Sequence, residues 1–218
     1  MIEIVRYAMA AIAVIVLPLV IVFWTLFHLT AKMWRGRPIW QPYALAFVVL
    51  SLTTAALWSW RAQLVGNDLG TVWWFIVPGL LIYASALWAD RRVRRHLTFA
   101  IFAGVPEVSG KDTPLLDSGP FSVVRHPRYA LVLLATLGWA LATNWSGAYL
   151  ISAICGAALV AVTWLEERDL RARFGATYDD YATRVPMLIP RPQNASRFFT
   201  QTARSRRFCR RIQKSRFG

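Results

Sequence analysis

Gly119-Pro120-Phe121-Ser122-Val123-Val124-Arg125-His126-Pro127-Arg128-Tyr129 and Trp164-Leu165-Glu166-Glu167-Arg168-Asp169-Leu170 are the polar feet of one apolar hairpin. Their reading decides the fold. Between them run Tyr129–Trp145 and Gly147–Leu165, neither of which contains an Asp, Glu, Lys or Arg. A helix rises about 1.5 Å per residue, so each stretch has roughly the length needed to cross a bilayer core. The short turn Thr143-Asn144-Trp145-Ser146-Gly147 makes the two helices antiparallel neighbours, so both feet emerge on the same side. An Arg-His pair and a Glu-Glu pair are thereby expected together at one membrane face, and the active site is expected there.

Outward from the hairpin, three more long apolar blocks lack charged residues: Ala8–Leu29, Tyr43–Trp60 and Thr71–Ala89. The 218 residues are 56% hydrophobic with eleven Trp, too apolar for an ordinary soluble domain. The expected fold is therefore all-α: an integral membrane bundle of five transmembrane helices with a cytosolic C-terminal helical extension. The first block is too long for a secretory signal and lacks an A-x-A-like cleavage site, so it reads as a permanent span. Residues 1–190 read as the membrane domain, and 191–218 as a basic, disordered tail lying on anionic lipid.

Charge predicts the orientation. The net charge is +14, and alternate sides of the five spans hold 23 and 2 of the Lys and Arg residues. The positive-inside rule then places the N-terminus outside, with the C-terminus and both hairpin feet in the cytosol. Cys155 lies mid-span and Cys209 in the tail, too far apart for a disulfide. His28, His96 and His126 are not spaced as ligands, and no metal site is expected.

Several local expectations follow. Pro18 and Pro78-Gly79 should kink their spans. Trp and Tyr near span ends (Trp40, Tyr43, Trp58, Trp60, Trp73, Trp74, Trp88, Trp145 and Trp164) read as headgroup anchors, and Asp90–Arg95 as an anionic-lipid anchor. His96 to Ser118 is the one extended loop, with Leu97–Val105 able to dip into the interface. Ser152 and Gly156, and the row Ala153, Ala157 and Ala161, should pack within the hairpin. The last helix should stop at Gly175, and Thr177 should cap a short helix ended by Val185-Pro186.

At the feet two readings compete. Pro127 suits the first turn of a helix, with Arg125 and Arg128 as headgroup anchors and Glu167–Arg171 as an i,i+4 pair. Against this, two adjacent carboxylates at a span end are costly unless they face water or a cation. Opposite a His-Arg foot they make a polar pocket opening onto the bilayer.

The spacing of Gly119-Pro120-Phe121, Arg125-His126-Pro127-x-Tyr129, Glu166-Glu167-x-x-Leu170-x-x-x-Phe174-Gly175-x-x-Tyr178-x-x-Tyr181, Val185-Pro186 and Ile189-Pro190 resembles the isoprenylcysteine carboxyl methyltransferase and phospholipid methyltransferase superfamily. The resemblance covers residues 113–190. It implies a membrane enzyme that binds S-adenosylmethionine at the cytosolic face. The implied cofactor contacts are Thr113, Pro114, Leu115, Leu116, Phe121, His126, Pro127, Arg128, Tyr129 and Glu166. Arg125, Glu167, Tyr181 and Arg184 are expected on the catalytic, acceptor side. The acceptor is expected to be lipid-soluble or membrane-delivered: an isoprenylcysteine-like carboxylate, a phospholipid amine or a small thiol. The chain departs from the family at Leu131 (commonly Gly), Phe121 (commonly Tyr) and Val162 (Arg in prenylcysteine-specific members). These departures define the alternative, a non-catalytic membrane binding or assembly protein that keeps the fold. Nucleic acid is not an expected partner.

Overall fold

The computed structural model describes residues 1–34, 37–94 and 115–194. Seven α-helices lie within them: α1 (Ile2–Trp34), α2 (Trp40–Ser59), α3 (Arg61–Val65), α4 (Trp73–Arg94), α5 (Pro127–Thr143), α6 (Ser146–Phe174) and α7 (Ala176–Arg184). Four are long and apolar enough to cross a membrane: Ile2–Phe27 within α1, and α2, α4 and α6. The fifth expected span, α5, has 17 residues, or about 25 Å of helix, short of a ~30 Å hydrocarbon core. The 29 residues of α6 measure about 43 Å, longer than such a core. The expected loop 96–118 lies outside the described residues up to Pro114, and the expected tail does so from Ala195 onward.

Side-chain pairings define an up-and-down bundle. Along α4 and α5, Tyr83 meets Trp139 at one level, and Asp90 faces Arg128 nearer the feet. Along α5 and α6, the Ser152 hydroxyl donates to the Thr136 carbonyl, and Gly156 faces Leu133. Neighbours therefore run antiparallel, and the tight turn does return both feet to one end. In the turn itself Thr143 ends α5, Asn144 adopts a left-handed conformation (φ 52°), and Trp145 is extended before α6.

A close backbone approach joins α4 to α5. Gly79 and Gly138 sit against each other's backbones: a Cβ on Gly138 would lie 2.6 Å from the Tyr83 nitrogen and 2.7 Å from the Gly79 oxygen. Lipid tails are as apolar as the helix faces, so association inside a bilayer depends on such close packing. Gly79 thus serves a helix contact, and α4 continues through Pro78 without interruption. Ser152 and Gly156 pack in the hairpin as expected, whereas Ala153, Ala157 and Ala161 are exposed. One residue is about 100° of helix, which turns the alanine row off the interface. Among the expected aromatic anchors, Trp40, Trp58, Trp60, Trp73, Trp74, Trp88 and Trp164 are exposed.

The turn end is stapled by Arg6, which is buried near the start of α1. Its guanidinium forms an ion pair with Asp68 and donates to the Thr71 hydroxyl and to the Thr143 and Asn144 carbonyls. Asn144 in turn donates to the Gly70 carbonyl and accepts from the Tyr149 hydroxyl. Three segments remote in sequence are locked at the end opposite the feet.

Candidate active site

Pro127 opens α5, where its missing N–H is one of the helix's unpaired donors anyway, and it leaves His126 as a non-helical cap (φ −121°, ψ 66°). On the other foot α6 runs straight through Glu166 and Glu167 and stops at Gly175, whose φ of 53° favours glycine. Gly175 is also the N-cap of α7, so Thr177 lies inside that helix and caps nothing. The chain therefore folds straight back, and α7 ends at Val185 in extended backbone, as Pro186 requires.

The feet touch. Arg125 donates through Nε to Glu167 Oε1 at 2.7 Å, and its Nη2 lies 2.6 Å from the same oxygen. Its Nη1 donates to the Ala182 and Val185 carbonyls at 2.9 and 2.6 Å. His126 Nε2 also lies 3.3 Å from Glu167 Oε1, while Nδ1 faces Glu166 Oε2 at 3.6 Å. Arg171 completes the set on Glu167 Oε2 at 3.3 Å. Glu167 is 4% exposed, so its charge is balanced by donors rather than by water. Glu166 differs: its Oε2 is buried without a hydrogen-bond partner among the described residues.

The foot is closed from the C-terminal side. The Arg125 and His126 backbone N–H groups donate to the Pro186 and Met187 carbonyls at 2.8 and 3.0 Å. The Tyr181 hydroxyl donates to the Phe121 carbonyl at 2.6 Å. Tyr178, Tyr181 and Val185 form a buried cluster on which Leu115, Leu170, Phe174 and Ala182 pack. Burial first and the Glu167 carboxylate second push the Tyr178 hydroxyl well above the ordinary phenol range, and burial does the same for Tyr181. Both hydroxyls therefore stay protonated at neutral pH.

Of the expected cofactor contacts, Glu166, His126 and Tyr129 come together, the last two with stacked rings 5.7 Å apart. Phe121 packs beside Ala89, Val93, Val123, Val124 and Leu131, and Leu115 sits on the α7 cluster instead. Arg128 faces the buried Asp90 at 4.0 Å. That contact gives Asp90 a role within the fold which the lipid-anchor reading missed; only a three-dimensional neighbour could reveal it. Leu116 is half-buried; Thr113 and Pro114 lie outside the described residues. On the expected acceptor side, Arg125, Glu167 and Tyr181 join the cluster. Arg184 does not: it is exposed and donates to the Asp180 carbonyl of its own helix. Tyr178 was seen in the sequence only as part of a motif, although its three-residue spacing from Tyr181 puts both on one helix face.

Comparison with known proteins finds methyltransferases among the relatives. The family model described as phospholipid methyltransferase matches residues 73–177. Methanethiol S-methyltransferase 2 of Bradyrhizobium diazoefficiens is 36% identical over 158 residues, covering 66% of this chain and 58% of the relative. Protein-S-isoprenylcysteine O-methyltransferase of Rattus norvegicus is 30% identical over 156 residues, covering 65% of this chain and 51% of the relative. The cobalt-zinc-cadmium resistance protein CzcN of Cupriavidus metallidurans is 36% identical over 86 residues, 38% of this chain and 39% of its own. No solved structure matches. The chain matches the phospholipid methyltransferase family model over residues 73–177, and with these relatives the match supports its likeness to the superfamily of integral membrane methyltransferases. It spans about half the length of the curated relatives it matches.

Proposed function

We propose that the protein is an S-adenosylmethionine-dependent methyltransferase acting on a small, lipid-soluble or membrane-delivered acceptor. One observation carries this reading. A buried carboxylate oxygen, Glu166 Oε2, stands beside a histidine nitrogen with no hydrogen-bond donor of its own among the described residues. A buried acceptor left unpaired costs about 1–3 kcal/mol, so the pair is built to receive a donor from outside the chain. The cofactor fits: its amino-acid head and ribose offer N–H and O–H donors, and its cationic centre suits a carboxylate and the face of Tyr129. When bound, S-adenosylmethionine supplies an electrophilic methyl group.

The chain's own residues do the rest. Glu166 and His126 hold the donor groups, and Tyr129 stacks behind His126. Glu167, neutralised by Arg125 and Arg171, keeps the second carboxylate out of competition. The α7 cluster and the 185–187 segment keep water from that side of the foot. No side chain needs to become covalently modified, because alignment and exclusion of water suffice for an in-line displacement.

In this reading α5 is a fifth span, shortened because its N-terminal foot is part of the site. The N-terminus is outside and the site cytosolic. The relatives' names, with methanethiol in one and isoprenylcysteine in another, support acceptors ranging from a small thiol to a lipid-linked group. Leu131 is buried against Ala89, Val93 and Val124, where it fills space beside Phe121, and this favours the non-catalytic alternative. Calorimetry separates the two: wild-type protein should bind S-adenosylmethionine, and Glu166→Gln should bind it at least about tenfold more weakly with an unchanged fold. Unmeasurable binding by wild type would overturn the enzymatic reading. Membranes given methyl-labelled cofactor would then report the acceptor as label in the lipid, protein or volatile fraction.

A further inference from the structure

Arg125 has the position expected of a residue that meets the acceptor, but its donors point elsewhere. Nε and Nη2 are on Glu167, and Nη1 is shared by the Ala182 and Val185 carbonyls. The guanidinium is thus wrapped by groups of its own chain, drawn from the end of α6, from α7 and from the segment behind it. The two backbone N–H groups at 125 and 126 hold the same segment through Pro186 and Met187. Side chain and backbone together bind the C-terminal strap to the foot of α5.

The second consequence concerns His126. An ionised carboxylate only accepts, and Glu167 faces two guanidinium groups, so it is ionised. The ring nitrogen 3.3 Å from Glu167 Oε1 must then carry the hydrogen, which makes Nε2 the donor. In the neutral ring Nδ1 is therefore bare. It faces the buried Glu166 Oε2 at 3.6 Å, so in that tautomer two acceptors stand side by side.

We propose that Arg125 is a positioning residue. Through Glu167 it fixes His126 as the Nε2–H tautomer, and through Ala182, Val185 and its backbone it buckles the strap onto the foot. This leaves His126 Nδ1 and Glu166 Oε2 as a paired acceptor site that selects ligands presenting an ammonium or hydroxyl donor. The inference shares its site with the methyltransferase reading and depends on that reading only for the ligand used as probe.

The first test reads the protonated nitrogen itself. Nitrogen-15 labelling of the three histidines in detergent-solubilised protein, with Gln substituted for His126 to assign its signal, reports the tautomer directly. A ring protonated at Nε2 alone is expected; a ring protonated at Nδ1, alone or together with Nε2, overturns the proposal. The second uses Arg125→Lys, which keeps the charge but cannot serve Glu167 and both carbonyls with the same fork geometry. Exchange of the 125 and 126 amides should quicken at least about tenfold while the amides of α4 keep their protection. Affinity for S-adenosylmethionine should fall about tenfold, the scale of one charge-assisted hydrogen bond. Unchanged amide exchange together with unchanged affinity would overturn the buckle. Where Arg125→Lys fails to fold, Glu167→Gln provides the same readings, with a mixed His126 tautomer expected and a pure Nε2–H signal counting against the proposal. If wild type binds no cofactor, the tautomer and exchange measurements still decide for or against the buckle, so its failure and that of the methyltransferase reading are distinguishable.

Discussion

Two tyrosines one helical turn apart make opposite predictions. Tyr181 donates to the Phe121 carbonyl across the feet, whereas the Tyr178 hydroxyl is buried with no partner among the described residues. Removing a made hydrogen bond costs about 1 kcal/mol, while removing an unsatisfied buried hydroxyl relieves a desolvation cost. Tyr181→Phe should therefore lower the melting temperature in detergent, and Tyr178→Phe should leave it unchanged or raise it. Equal losses in both would mean that Tyr178 has a partner in the folded protein. The adjacent carboxylates differ in the same way. Glu167 is saturated by Arg125, Arg171 and His126, and Glu166 keeps a free oxygen. Adjacent in sequence and chemically alike, they are separated in role by about 100° of helix rotation.

At the scale of elements, α4 and α5 meet backbone to backbone at Gly79 and Gly138. A methyl group at Gly138 would overlap the Tyr83 nitrogen and the Gly79 oxygen, so Gly138→Ala must push the helices apart. Overpacking of this kind costs about 1–3 kcal/mol. The same helix pair carries the Asp90–Arg128 contact and the cluster around Leu131 and Phe121. Gly138→Ala should therefore lower both thermal stability and cofactor affinity, measured by thermal scanning with and without S-adenosylmethionine. Loss of stability with full affinity would show that the spacing of α4 and α5 does not reach the foot.

Across the whole molecule the two ends separate stability from chemistry. Arg6 is buried at the turn end, while the candidate site lies at the other. Arg6→Met would leave Asp68 without its cation. Breaking a buried pair costs about 3–5 kcal/mol, and the low end applies here because the Asp68 side chain remains 27% exposed. The variant should melt earlier, yet its folded fraction should titrate cofactor with wild-type affinity. A large drop in affinity would mean that the ends are coupled through the helices. Orientation can be tested with single cysteines placed at Asn67 and at Thr183. In sealed vesicles an impermeant reagent should reach them from opposite sides, Asn67 from outside; reversed labelling would overturn the proposed orientation.

Chemistry with local rules was legible in the chain: apolar blocks as helices, Pro127 at a helix start, Gly175 at a helix stop, and a tight turn that returns two feet to one end. Those depend on neighbouring residues alone, and the motif spacing pointed to the superfamily for the same reason. Only the folded bundle could decide which oxygen of the acidic pair is free, that Arg125 is consumed by its own chain, that Asp90 faces Arg128 and that Gly79 meets Gly138. These depend on the rotation of one helix against another. Helix rotation is chosen by close packing between segments distant in sequence, which no local pattern contains.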